Sequence, residues 1–262
     1  MGRTIIDMSD RVVLVTGAGQ GVGRQIALDA ASNGARAVVV NDFVPERAEA
    51  VAEEVRKEGA AALALPFDVT SPDAVEAAFA RVREEFGELH ALVNNAGNAG
   101  AGGKARFEDF WSEPVDGWNA WLGTNLFGVM NCVRAGVPLM RGHGQGRIVT
   151  VISDAGRVGE AGLEVYSAAK AGAAGFMRAV ARSAGRFGIT ANSVSISATR
   201  TPFVEAMLDD EAAAKEQLKR YIIRRFGTPE DIAGMVVFLS STAGAWVTGQ
   251  TISVNGGYAV IP

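Results

Sequence analysis

The chain has 262 residues, 48% of them apolar, with 25 Lys and Arg against 29 Asp and Glu and a formal charge of −4. That apolar content excludes a disordered chain, no apolar run approaches the ~20 residues of a membrane-spanning helix, and the single cysteine excludes an internal disulfide. The acidic balance argues against nucleic acid as a partner, and the opening MGRTIIDMSDR, which lacks an apolar leader core, reads as an uncleaved, cytoplasmic start. Composition leaves one feature open: 32 residues are Gly, well above the usual ~7%.

In chain order, short β-branched runs alternate with longer stretches of helical period. Strands are predicted at 12–16, 37–40, 62–67, 91–94, 147–152, 190–196 and 251–254, and helices at about 22–33, 45–58, 72–86, 116–140, 162–186 and 228–240. The strands are continuous rather than alternating in hydrophobicity, the pattern of strands buried on both faces. Thr70-Ser71-Pro72 and Thr228-Pro229-Glu230-Asp231 mark helix starts, with a capping hydroxyl, a first-turn proline and acids at the positive helix end. The fold class is therefore α/β: a Rossmann-type doubly wound parallel sheet of about seven strands, helices on both faces, in one domain spanning 1–262. Two stretches, 98–115 and about 198–226, resist assignment and are expected to be functional loops.

The first strand runs into Thr16-Gly17-Ala18-Gly19-Gln20-Gly21-Val22-Gly23, which opens the first helix. Glycines there let the backbone approach a pyrophosphate whose charge rests on the helix N-terminus, so Gly17, Gln20, Gly21, Val22 and Gly23 are candidate cofactor contacts. No Walker lysine follows, which disfavours nucleoside triphosphate hydrolysis. The second strand ends VVVNDF, placing Asp42 where a carboxylate hydrogen-bonds the adenosine ribose and repels a 2′-phosphate. NAD is the expected cofactor. Arg24 and Arg47 keep NADP as an alternative.

Tyr166 and Lys170 share one helix face. A free tyrosine titrates near ~10 and is a poor base at neutral pH unless a nearby cation stabilises its phenolate. His90 and His143 stand isolated in sequence and are not expected to hold a metal; Cys132 reads as a buried small hydrophobe, and Ser167 as a helix-surface hydroxyl.

From about Arg11 to Tyr258 the sequence resembles the short-chain dehydrogenase/reductase family. The matching pieces are the glycine turn, Asp68-Val69, Asn94-Asn95-Ala96-Gly97, Asn125 in TNLFG, Ser153, Tyr166-x3-Lys170, and the C-terminal RRFGTPEDIA, FLSS and VTGQTISVNGG. They occur in the family's order and spacing, with twenty-eight positions from Asn125 to Ser153 and thirteen from Ser153 to Tyr166. The resemblance implies hydride transfer between a nicotinamide and a carbonyl or alcohol carbon. In that reading Tyr166 is the acid–base residue, and Ser153 holds the substrate oxygen. Lys170 binds the nicotinamide ribose and depresses the Tyr166 pKa, and Asn125 positions a relay water. Asp68 and Val69 would meet the adenine, Asn95, Ala96 and Gly97 the adenosine ribose, and Thr199 and Thr201 the nicotinamide end. The Pro-Gly usual after the sixth strand is replaced by Ile196-Ser197, which puts the path of that loop in doubt.

Phe107, Phe110, Trp111, Phe203, Met207 and Leu208 suggest a hydrophobic secondary alcohol or ketone, and the VVVND ending resembles β-hydroxyacyl-thioester and hydroxysteroid dehydrogenases. The basic stretch Lys215, Lys219, Arg220, Arg224 and Arg225 tilts the expectation toward a coenzyme A thioester. The alternatives are an NADP-dependent 3-oxoacyl-carrier-protein ketoreductase and a catalytically idle dinucleotide sensor on the same fold. The family resemblance also implies a homotetramer.

Overall fold

Valine- and alanine-rich segments separated by amphipathic helices assemble into one seven-stranded parallel sheet in the computed structural model, which describes residues 5–97, 109–112, 115–201 and 211–261. The strands are β1 (Val12–Val15), β2 (Ala37–Val40), β3 (Ala61–Ala64), β4 (Ala91–Asn94), β5 (Arg147–Ser153), β6 (Thr190–Ile196) and β7 (Thr251–Val254), in the order β3-β2-β1-β4-β5-β6-β7. Val13 pairs with Val38 on one side and with Ala91 on the other, so strand order reverses direction at β1 and β4. A crevice at the carboxyl ends of these two strands is where an open α/β sheet binds ligands.

The helices that fill both faces are α1 (Gly21–Ser32), α2 (Pro45–Lys57), α3 (Pro72–Phe86), α4 (Trp118–Leu122), α5 (Gly128–Met140), α6 (Ala155–Val158), α7 (Glu164–Ala184), α8 (Glu211–Leu218) and α9 (Pro229–Ser240). Successive strand residues point to opposite faces. Val13, Val15, Val38 and Val40 accordingly meet Ile26 of α1, Val51 and Val55 of α2, and Val236 of α9. Val12, Leu14 and Val39 meet Phe79 of α3, Val133 of α5 and Met177 of α7. Each valine taken fully out of water in this way contributes about 1.5–3 kcal/mol. Burial on both faces holds for the five inner strands. The edge strands depart from it: β3 exposes Ala61 and β7 exposes Ser253, because a strand with one neighbour lies at the rim of the helical layers.

The predicted caps are present: Ser71 Oγ accepts the Ala74 amide at 3.3 Å, and Asp231 Oδ2 accepts the Thr228 amide at 2.8 Å. The continuous helix expected over 116–140 is instead interrupted by a π-turn at Gly123–Phe127 between α4 and α5. Its cause is local. The Asn125 side-chain amide donates to Trp121 O at 2.9 Å, the carbonyl that an undisturbed α-turn would give to the backbone amide of the same residue. Residues 98–108 and 202–210 lie outside the described part, and with them Phe107, Phe203, Met207 and Leu208. The remainder of the 198–226 stretch, expected to be a loop, includes helix α8. Among the described residues no helix is long and apolar enough to cross a membrane.

Candidate active site

The glycine turn joins β1 to α1 and is held by Asn41 and Asn95, which follow the neighbouring strands β2 and β4. The Asn95 side chain donates to Thr16 O and Gly17 O, both at 3.0 Å, while Thr16 Oγ1 accepts the Asn95 and Ala96 amides. Asn41 Oδ1 accepts the Gly17 amide at 3.3 Å, and its Nδ2 donates to Leu65 O and Phe67 O. Asn95 is thus engaged in shaping the turn, a role the motif reading did not assign, and Asn41 was passed over beside the more conspicuous Asp42. Gly17 has φ +61°, and a Cβ there would lie 2.8 Å from Ala96 Cα; a Cβ on Gly23 would lie 2.3 Å from Gly17 O. Both glycines are required by contact, and Gly17 by conformation as well. Helix α1 starts at Gly21 with no side-chain cap, beside exposed Gln20 and buried Val22, so its first amides are open to an anion. The turn fits the pyrophosphate of a dinucleotide.

Asp42 is almost fully buried, and its carboxylate closes the turn on the other side. Oδ2 accepts the Gly19 amide at 3.1 Å and Oδ1 the Val44 amide at 3.0 Å. Its negative charge therefore stands against the turn itself. Asp68 is exposed and caps the Thr70 amide at 2.8 Å; Val69 is buried, its side chain 2.7 Å from where a Gly128 Cβ would sit. Thr201 reaches the turn, its Cγ2 3.1 Å from a Cβ built on Gly21. Buried Thr199 donates to Ser197 O at 3.0 Å and bridges Gly227, so the loop after β6 keeps a defined path without Pro-Gly.

The second half of the crevice gathers residues from β4, the π-turn, β5 and α7. A Cβ on Gly97 would lie 3.3 Å from Asn125 Oδ1 and 3.5 Å from Lys170 Nζ, which places all three together. Lys170 is 4% exposed, donates to Val151 O at 3.0 Å, and its Nζ lies 5.7 Å from the centre of the Tyr166 ring. Ser153 hydrogen-bonds the Tyr166 phenol, and its Oγ accepts the Ala155 amide at 3.2 Å. Trp121 packs edge-on against Tyr166 with ring centres 5.5 Å apart, which gives that tryptophan a place beside the candidate catalytic phenol.

Burial governs the charges here. It pushes the Tyr166 phenol up to about 12, against the lowering effect of the Ser153 hydrogen bond, and draws the Lys170 ammonium down to about 8. The lowering of the Tyr166 pKa expected from Lys170 belongs with a positive nicotinamide ring; in the chain alone, desolvation of the phenol outweighs the Ser153 hydrogen bond.

Two further expectations need correction. His90 and His143 are not isolated: their rings stack with centres 4.4 Å apart and Glu88 beside them. Each Nδ1 accepts a backbone amide, from Val12 and Gln145 respectively, and His143 Nε2 donates to Leu89 O. Rings inclined by only 25° do not direct two in-plane lone pairs to one ion at ~2 Å, so the geometry is that of a hydrogen-bonded stack. Ser167 is not a surface hydroxyl, since its Oγ is buried and has no hydrogen-bond partner among the described residues. Cys132 is buried in the core, and that burial pushes its thiol up to about 12.

Comparison with known proteins converges on one family. The family model described as enoyl-(acyl carrier protein) reductase matches residues 17–259. The 3-oxoacyl-(acyl-carrier-protein) reductase of Staphylococcus aureus is 39% identical over 246 residues, 93% of this chain and 96% of that protein. The chain belongs to the short-chain dehydrogenase/reductase family. A family member of the same description from Escherichia coli is 35% identical over 257 residues, covering 98% of this chain and all of that one. Among solved structures, a 7 alpha-hydroxysteroid dehydrogenase complexed with NADH and 7-oxo glycochenodeoxycholic acid superposes with a TM-score of 0.90 at 30% identity, over 98% of both chains. Levodione reductase superposes at 0.88 with 32% identity, over 95% of this chain and 98% of its own. The protein is an oxidoreductase of this family, with the doubly wound fold and a nicotinamide dinucleotide as cofactor.

Proposed function

We propose that this chain interconverts a 3-oxoacyl thioester and its 3-hydroxy counterpart, with NAD as the cofactor. The reaction class rests on one observation: Ser153, Tyr166 and Lys170 meet at the carboxyl ends of the strands, with the phenol hydrogen-bonded by Ser153 and a buried ammonium behind it. When bound, the dinucleotide supplies or accepts the hydride at the carbinol carbon. Ser153 holds the substrate oxygen, Tyr166 Oη gives or takes its proton, and Lys170 and Asn125 carry that proton's charge toward solvent. Gly17, Gly21, Val22 and Gly23 would hold the pyrophosphate, and Asp42, Asp68, Val69 and Ala96 would surround the adenosine; Gly97, expected at the adenosine ribose but lying beside Asn125 and Lys170, would line the nicotinamide end with Thr199 and Thr201.

The substrate side is supported by the relatives described as 3-oxoacyl-(acyl-carrier-protein) reductases, which favour the ketoreductase alternative over a steroid. The cofactor side is supported by Asp42, whose buried carboxylate repels a 2′-phosphate. An NADP-dependent ketoreductase is the second reading, favoured by those same relatives and by Arg47, whose Cβ lies beside Gly19. Cytoplasmic residence and a homotetramer belong to this proposal too; Trp246, 98% exposed next to β7, is apolar surface that a second subunit would cover.

Turnover of S-acetoacetyl thioesters measured with NADH and with NADPH tests the reading. Preference for NADH on a thioester is the expected result. Turnover of a steroid or simple ketone alone would overturn the substrate class, and preference for NADPH would overturn the cofactor.

A further inference from the structure

The 198–226 segment carries charge that hydride transfer does not use. A cleft of about 400 Å³ opens there, with Arg200, Lys215, Arg224 and Arg225 on its walls and Leu218 and Phe226 among its apolar lining. Arg225 is neutralised by Asp231 through two contacts of 2.5 and 2.7 Å. Arg224 donates through one nitrogen to Lys219 O at 2.7 Å and finds no carboxylate among the described residues. Arg200 and Lys215 are exposed and likewise have no acidic partner among them. Three cations with no acidic partner among the described residues stand around one concave surface and repel each other, and a multiply charged anion relieves that repulsion.

The cleft is tied to the active site by backbone. Arg200 stands between Thr199 and Thr201, its amide donating to Gly227 O at 2.8 Å, and Thr201 touches the glycine turn. A ligand seated in it would touch the same segment that reaches the glycine turn through Thr201. We propose that the cleft holds the phosphate end of a phosphopantetheine arm carrying the substrate thioester, as free coenzyme A or on a carrier protein. Guanidinium groups match phosphate oxygens in pairs, and the apolar lining suits the gem-dimethyl carbon next to that phosphate. The inference rests on the thioester reading above and adds the site that recognises the arm.

Calorimetric titration of coenzyme A and of phosphate-free pantetheine onto the cofactor-loaded chain, wild type and R200Q/K215Q, tests it directly. Both substituted side chains are exposed, and a thermal melt verifies that the double variant is folded. Coenzyme A is expected to bind wild type at least about tenfold tighter than pantetheine, with that advantage lost in the variant and at high salt. Equal binding by the two ligands, or an advantage that survives the double substitution, overturns the proposal. Kinetically, the ratio of kcat/KM for acetoacetyl-CoA to that for S-acetoacetyl-N-acetylcysteamine should fall by about tenfold in the variant. The same fall with acetoacetyl carrier protein assigns the cleft to the shared phosphate, and a fall confined to acetoacetyl-CoA assigns it to coenzyme A. Phosphate-dependent binding without turnover of any thioester keeps the cleft and removes the proposed reaction.

Discussion

The Ser195 hydroxyl donates to the buried carboxylate of Asp154 across 2.6 Å, and Asp154 is the residue directly after Ser153. The other carboxylate oxygen accepts Asn255 Nδ2 at 2.6 Å, and the Asp154 amide donates to Ile196 O at 3.0 Å. One side chain thus clamps the ends of β5 and β6 and the chain beyond β7 around the proposed oxyanion-holding serine. Asp154→Asn replaces an acceptor by a donor in front of either Ser195 or Asn255. The expected cost is about 2–3 kcal/mol, read as a lower midpoint in urea unfolding, with kcat falling more than cofactor affinity. A variant as stable as wild type would show that the clamp contributes nothing.

Tyr166→Phe removes the hydroxyl proposed to exchange a proton with the substrate while leaving the packing against Trp121. Turnover is expected to fall by about 10²–10⁴-fold. Fluorescence titration should show cofactor dissociation within about twofold of wild type, since the ring remains. Retained turnover would remove the proton-transfer role.

Asp42→Ser takes away the charge facing the turn and keeps a small acceptor for the Gly19 amide. The ratio of kcat/KM with NADPH to that with NADH is expected to rise by about 10–100-fold, because a like-charge repulsion at close range is lost. An unchanged ratio would count against Asp42 as the discriminator.

The His90 imidazole is drawn down to about 4 by burial, then by the His143 ring stacked on it, with Glu88 pulling the other way and Arg11 and Arg36 adding to the fall. The unfolded chain binds a proton on this residue near ~6.5, so between those values it holds more protons than the folded one. Stability is therefore complete above ~6.5 and is expected to decline by about 2–3 kcal/mol as pH falls to about 4. Protonation of Nδ1 also sets it against the Val12 amide that it now accepts. Urea midpoints across that range check this; a His90→Gln variant with the same slope would place the effect elsewhere.

Much of this was legible before any coordinates. Apolar runs and their punctuation located all seven strands, and motif spacing singled out Ser153, Tyr166, Lys170 and Asn125, because periodicity and short-range chemistry are properties of consecutive residues. What escaped is what depends on groups distant in the chain. His90 and His143 are 53 positions apart by their numbers and became a stack only when β4 and the turn before β5 were laid side by side. Asn125 was marked for a role without any sign of the π-turn that holds it.

Sequence by itself determined the strand order's raw material, the glycines of the turn after β1, and the spacing of Ser153, Tyr166 and Lys170. Tertiary structure alone decided which of those groups are dry: it moved Tyr166 and Lys170 away from their ordinary pKa values, placed Asp154 where its two oxygens must be satisfied, and emptied the cleft around Arg200, Lys215 and Arg224 of acidic partners among the described residues. The physical reason is that burial and charge compensation are set by everything that surrounds a side chain, and most of what surrounds these came from other strands and helices.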